Sequence, residues 1–156
     1  MNTLTATNDE KSHKRSVARL CAVQALYQLR MSSDTGTKAV VDEFKSHRLK
    51  AVNDPEQLGD ADEKHFAGIV EGVNQRADEI DELIKSALNK EWRIERLEHT
   101  MLSILRAGVF EILACSDIPV AVIVNEYVEL AKSFYDGSEV GFVNGILDNL
   151  ATKCRT

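Results

Sequence analysis

From Leu97 to Leu150, apolar side chains return every third or fourth residue through three successive segments. That recurrence restricts the possible folds more than any other feature of the chain. Leu97, Met101, Ile104, Leu105, Gly108, Ile112 and Cys115 mark the first segment. Val120, Ile123, Val124, Tyr127, Leu130, Ala131 and Phe134 mark the second, and Val143, Ile146, Leu147 and Leu150 the third. This is the period of an α-helix turning one face to a core, whereas a half-buried strand would alternate. Ser116-Asp117-Ile118-Pro119 reads as a stop and a start, with Pro119 at the first helical position. Tyr135-Asp136-Gly137 reads as a turn, with Ser138 as the N-cap of the last helix. Gly108 lowers helix stability by about 1 kcal/mol relative to Ala, so it is expected where another helix crosses closely. Gly141 and Gly145, four apart, are expected to leave a flat strip that a second backbone can approach.

The earlier part follows the same rule less regularly. Val40, Val41 and Phe44 give a short amphipathic helix within Thr37–Lys50. Ala51–Gly59, with Asn53-Asp54-Pro55, is a break, because the residue before proline avoids the α region. Asp60 or Asp62 can cap the next helix, whose stripe is Phe66, Ile69, Val70 and Val73. The stripe resumes at Ala77, Ile80, Leu83, Ile84, Ala87 and Leu88, in one bent helix or two. Lys90–Arg96 is a charged connector that Trp92 and Ile94 are expected to pin to the core. The expected fold class is all-α, with about seven helices. Two prolines and eight glycines in 156 residues are too few for a turn-rich β-sandwich.

Little points to catalysis. The four histidines are scattered, and Asp62-Glu63-Lys64-His65 lacks the second histidine of a zinc-binding helix. There is no phosphate-binding glycine loop and no nucleophile elbow. Cys21, Cys115 and Cys154 form no close pair, so neither a zinc site nor a disulfide framework is indicated. No enzyme, cofactor, metal or catalytic set is expected. Arg106, Glu111, Asn125 and Glu126 interrupt apolar helices and are expected to pair across them, since an unpaired buried charge costs several kcal/mol. No apolar run reaches the roughly 18–20 residues of a membrane span, and the N-terminus lacks the apolar core of a signal peptide. The expected location is the cytoplasm.

Lys11–Arg30, KSHKRSVARLCAVQALYQLR, combines two characters. It has no acidic residue, begins with Lys11, Lys14, Arg15 and Arg19, and turns apolar from Leu20. The net charge of −6 conceals an asymmetry: residues 1–50 carry nine Lys/Arg against five Asp/Glu, and the remainder ten against twenty. Lys11, Arg15 and Arg19 step by four, which places them on one helix face with an offset of about 40° per step. Such a ladder suits phosphates, each of which releases counterions when neutralised. Charge alone leaves a solvated helix end equally open. Cations at a helix N-terminus oppose the macrodipole, which favours a bound phosphate there. Gln24 and Tyr27 could add hydrogen bonds and stacking to unpaired bases, although such residues are more often core.

ARLCAVQALYQ, ILRAGVFEIL followed by DIPVAVIVNEYVELAKSF, and GFVNGILDNLA occur in this order. Together they resemble the NusB family of bacterial transcription antitermination and ribosomal-RNA processing factors, from about Lys14 to Ala151. The resemblance implies two small helical subdomains sharing one core. Met1–Glu10, small, polar and without period, is expected to be a mobile tail, and the resemblance implies a single NusB-like RNA-binding domain over residues 11–156. It also implies binding to single-stranded boxA-type RNA together with a ribosomal small-subunit protein, NusE, in a larger complex with NusA, NusG and RNA polymerase. Carried over by motif, the RNA-binding residues are Lys14, Arg15, Arg19, Gln24, Tyr27 and Phe142, with a contacting loop over Asp136–Gly141. Glu91 and Glu95 are the candidates for the partner-binding face. Phe142 lies at the edge of the last stripe, as a core filler or a stacking platform; the resemblance favours the platform. The sequence departs from the family pattern in a thinner N-terminal basic cluster and an acidic, lysine-free YDGSEVG segment. Two other readings stay open: an RNA-binding appendage of a ribosomal-RNA cytosine methyltransferase, for which a chain ending at Thr156 leaves no catalytic domain, and a non-catalytic homodimeric scaffold in ribosome biogenesis.

Overall fold

The computed structural model describes residues 3–32, 36–48 and 62–155. These residues form seven α-helices and no strand: α1 (Thr3–Met31), α2 (Thr37–Glu43), α3 (Glu63–Gln75), α4 (Ala77–Ala87), α5 (His99–Ala114), α6 (Val120–Ala131) and α7 (Gly137–Cys154). A π-helical turn, Phe44–Arg48, follows α2, and a 3₁₀ turn, Ile94–Arg96, precedes α5. The chain divides into two compact units, Met1–Glu71 and Gly72–Thr156. The break expected at Ala51–Gly59 lies outside the described residues.

In the first unit, α1 begins at Thr3 and runs for 29 residues. It therefore starts eight positions before Lys11, where the basic stretch begins. Ala18, Cys21, Ala22, Val23, Ala25 and Leu26 are buried, so its second half is the buried post expected from composition. Val40, Val41 and Phe44 are buried as their spacing predicts, and Phe44 stacks on Phe66 of α3 at 5.6 Å between centroids. Asp62 caps α3: its Oδ1 accepts the His65 N–H at 2.8 Å.

The second unit is built around α5, which buries most of its circumference through Met101, Leu102, Ile104, Leu105, Ala107, Gly108, Val109 and Ile112 and keeps one strip, Arg106, Phe110 and Leu113, half-buried. A helix apolar over most of its surface must be largely enclosed, and α4, α6 and α7 all pack against it. Gly108 has the close neighbour its position called for. A Cβ there would lie 3.0 Å from Leu147 Cδ2 of α7 and 3.4 Å from the Tyr127 ring of α6. Gly141 and Gly145 do not: among the described residues a Cβ on either would meet nothing within 4 Å, so no described backbone approaches them. The α3–α4 region is two helices, parted at Arg76 (φ −111°, ψ 24°). Two caps shift by a position or two. Pro119 is the N-cap of α6 and its carbonyl accepts from Ile123, while Asp136 rather than Ser138 precedes α7.

The polar residues on apolar helices are paired where they are buried. Arg106 donates to Asp81 of α4 through Nε and Nη2, each at 2.8 Å, a two-pronged pair that fixes α4 to α5. Glu111 is fully buried and accepts the Tyr127 hydroxyl. Asn125 is exposed. Among the described residues no helix is long and apolar enough to cross a membrane.

One residue without periodic signature closes the C-terminal end of α5. Arg155, just past α7, donates to the carbonyls of Ile112 (2.8 Å), Ile118 (2.7 Å), Cys115 (2.7 Å) and Glu111 (3.2 Å). Carbonyls at a helix end have no partner within the helix, and the guanidinium fork supplies donors for several at once. Arg155→Ala should therefore lower the unfolding free energy by about 2–3 kcal/mol, read by urea denaturation. Arg155→Lys should recover only part of it, because an ammonium cannot span the same set of acceptors.

Candidate functional site

The expected site residues fall in two groups, one in each unit. In the first unit the basic stretch occupies the middle of α1. With the helix starting at Thr3, Lys11 lies more than two turns in, and the macrodipole acts mainly on the terminal turn. The expected N-terminal phosphate site is therefore absent as a helix-end effect. What stands is the surface charge of Lys11, Lys14 and Arg15.

The ladder is also shorter than its spacing suggested. Lys11 is exposed and Arg15 partly exposed, but Arg19 is only 2% exposed, flanked by buried Ala18 and Ala22. The reason lies in the step. Four residues rotate about 400°, so each rung drifts about 40°, and two steps carry the side chain from the open face into the buried one. Arg19 is thus removed from the surface ladder. Gln24 is half-buried and Tyr27 is 39% exposed one turn further on, so the hydroxyphenyl ring reaches solvent.

Asp62 orders this surface. Its N–H donates to the Lys14 carbonyl at 3.1 Å, tying the start of α3 to the basic stretch. Its Oδ2 lies 3.7 Å from Arg15 Nε while Oδ1 caps α3. One carboxylate both starts a helix and restrains a cation of the candidate site. The sequence marks Asp62 only as a cap, because nothing in its spacing announces a pairing with a residue 47 positions earlier.

In the second unit, Phe142 sits on the first turns of α7, next to fully buried Val143. It is half-buried, and its ring contacts Trp92 at 5.5 Å between centroids with the planes tilted by 42°, within the usual range for aromatic pairs. Trp92 is 51% exposed, so it does not pin the connector to the core; Ile94, at 6%, does so alone. A turn presents the indole: the Asn89 carbonyl accepts the Trp92 N–H at 3.0 Å, and Asn89 Oδ1 accepts the Glu91 N–H at 3.0 Å. The segment Asp136–Gly141, expected as a loop, is instead the cap and first turn of α7.

Trp92, Leu97, Met101 and Phe142 wall a groove of about 470 Å³, with Arg96, Glu98, Tyr135, Ser138 and Glu139 around it. Glu98 Oε2 caps α5 through the Thr100 N–H, and Oε1 accepts the Tyr135 hydroxyl. Burial, together with the adjoining Glu98 carboxylate, raises the Tyr135 pKa above its ordinary value, so the phenol stays protonated as a donor. Glu91 and Glu95 are exposed on the connector and do not line the groove. Among the described residues no group of His, Cys, Asp and Glu could hold a metal ion.

Helix order and packing define the class first: an all-α chain with the fold of solved NusB structures. It aligns with Thermotoga maritima NusB at a TM-score of 0.75 and 28% identity, over 91% of this chain and 93% of that one. It also aligns, at 0.69 and 23% identity, with a chain from the crystal structure of antitermination factors NusB and NusE in complex with double-stranded RNA, over 90% of this chain and 97% of that one. Residues 16–152 match the NusB family as a whole, and the chain belongs to that family. Relatives include the transcription antitermination protein NusB of Sphingopyxis alaskensis, 46% identical over 94% of this chain and 98% of its own length. That of Caulobacter vibrioides is 49% identical over 90% and 94%.

Asp62→Ala should lower the stability of the chain by about 1 kcal/mol, the usual effect of losing an N-cap. Asp62→Asn should leave it nearly unchanged, because the amide oxygen can still accept the His65 N–H. Thermal melting of the two variants beside the parent protein checks this.

Proposed function

We propose that this chain is a transcription antitermination factor that acts by assembly rather than catalysis. It binds single-stranded boxA-type RNA together with the ribosomal small-subunit protein NusE, and the pair joins NusA, NusG and RNA polymerase on ribosomal RNA operons in the cytoplasm. The observation that carries this reading is membership of the NusB family across residues 16–152, nearly the whole chain. The surface chemistry supports it. Lys14 and Arg15 offer cations for phosphates, Tyr27 an exposed ring with Gln24 beside it, and Phe142 a half-buried ring at a groove. Glu91 and Glu95 are exposed carboxylates suited to a basic ribosomal protein.

Arg19 takes no part in direct phosphate contact in this proposal, since it is buried. The affinity then rests on few cations, and the acidic segment before Phe142 adds none. Binding by the chain alone is accordingly weak and gains from the partner.

The test is a salt series. Binding of a boxA-type oligonucleotide should weaken with salt, and each phosphate contact on a single strand contributes a slope of about −0.7 in log K against log salt. Replacing Lys14 and Arg15 together by alanine should flatten the slope by about 1.4 and leave the helical circular dichroism intact. An unchanged slope and affinity would remove the basic stretch from the RNA site. Asp62→Asn should act in the opposite direction. Freeing Arg15 from an exposed ion pair worth about 0.2–1 kcal/mol should tighten RNA binding by up to about fivefold.

A further inference from the structure

Trp92 does no work in the core, yet it is held in place. Its indole is half-exposed, it stands on an ordered turn centred on Asn89, and it contacts Phe142 across the mouth of the groove. An exposed tryptophan in a charged connector exposes apolar surface without a structural return of its own. A rigid, solvent-reachable aromatic pair is the form that a stacking platform for unpaired bases takes.

We infer that Trp92 is a second base-stacking residue for RNA, forming with Phe142 a two-ring platform that receives one unpaired base at the groove. This rests on the reading of the chain as an RNA-binding factor that uses Phe142. The two rings already touch, so the incoming base adds to the outside of the pair and lies over the apolar floor made by Leu97 and Met101. Charge around the groove orients the strand. Glu98 and Glu139 disfavour phosphates inside it, while Arg96 supplies a cation on its rim. The base therefore enters and the backbone stays outside. An acidic segment before Phe142, unfavourable for phosphate contact, is compatible with a subsite that takes a base. Of other occupants, an apolar side chain of a protein partner is the rival that the test must separate.

Trp92 is the only tryptophan in the chain, so its emission reports on this place alone. Fluorescein-labelled single-stranded boxA-type RNA is titrated into the full chain, with and without NusE, following label anisotropy and tryptophan emission on separate samples of labelled and unlabelled RNA. Emission should be quenched along the same isotherm as binding. Trp92→Ala should weaken binding roughly tenfold, and Trp92→Phe should restore most of it. Because the indole is half-exposed, the melting temperature of Trp92→Ala should match the parent. RNA binding with unchanged emission, and with Trp92→Ala binding like the parent, overturns the inference and leaves the proposed function standing. Quenching by NusE alone, with no further change on adding RNA, overturns it in favour of a protein-docking groove. No RNA binding by the parent chain in either condition overturns the proposed function, and this inference with it.

Discussion

A helix buried over most of its circumference is the constraint on which the second unit depends. With Leu102, Ile104, Leu105, Val109 and Ile112 all shut from water, α5 leaves its neighbours little freedom in where they pack. Such a helix has little solvated surface to receive its polar groups, so they take partners supplied by other elements. Asp81 holds Arg106, and Tyr127 bonds Glu111. Arg155 satisfies the carbonyls at the C-terminal end. At the N-terminal end, Glu98 accepts the first-turn Thr100 N–H with one oxygen and the Tyr135 hydroxyl with the other.

That last arrangement links stability to the candidate site. Capping α5 fixes Glu98, and Glu98 fixes Tyr135 at the entry to α7. The start of α7 then places Phe142 opposite Trp92. The groove is therefore a consequence of how the central helix begins, and its aromatic walls stand on elements held for other reasons. A comparable economy holds in the first unit, where Asp62 caps α3, bonds the Lys14 carbonyl and faces Arg15. In both places a carboxylate with a structural duty sits beside a residue suited to contact a ligand.

Periodicity made most of the fold legible. The stripes of α6 and α7 predict their buried residues well, because burial there follows the helical repeat; in α5 burial extends beyond the stripe to Leu102, Ala107 and Val109. Gly108 was legible for the same reason, as a gap in a stripe. What escaped was whatever depends on accumulated rotation or on contacts distant in sequence. Arg19 looked like the third rung of a ladder, but the 40° drift turned it inward. Phe134 continued the stripe of α6 on paper, yet the helix stops at Ala131 and the ring is exposed. Trp92, expected to pin the charged connector to the core, is instead half-exposed between the exposed Glu91 and Arg93. Arg155, the next-to-last residue, carried no signal at all. The family blocks pointed to Phe142; its pairing with Trp92 came only from the packing of the connector on α7.

The central claim is that this chain recognises single-stranded RNA jointly with a ribosomal protein. The most direct test measures the affinity of a boxA-type oligonucleotide, and of a scrambled one of equal length, for the chain alone, for NusE alone and for the two mixed. The mixture should bind the boxA-type RNA more tightly than either protein does, and should prefer it over the scrambled strand. Equal, weak binding of both oligonucleotides in all three conditions would contradict the account.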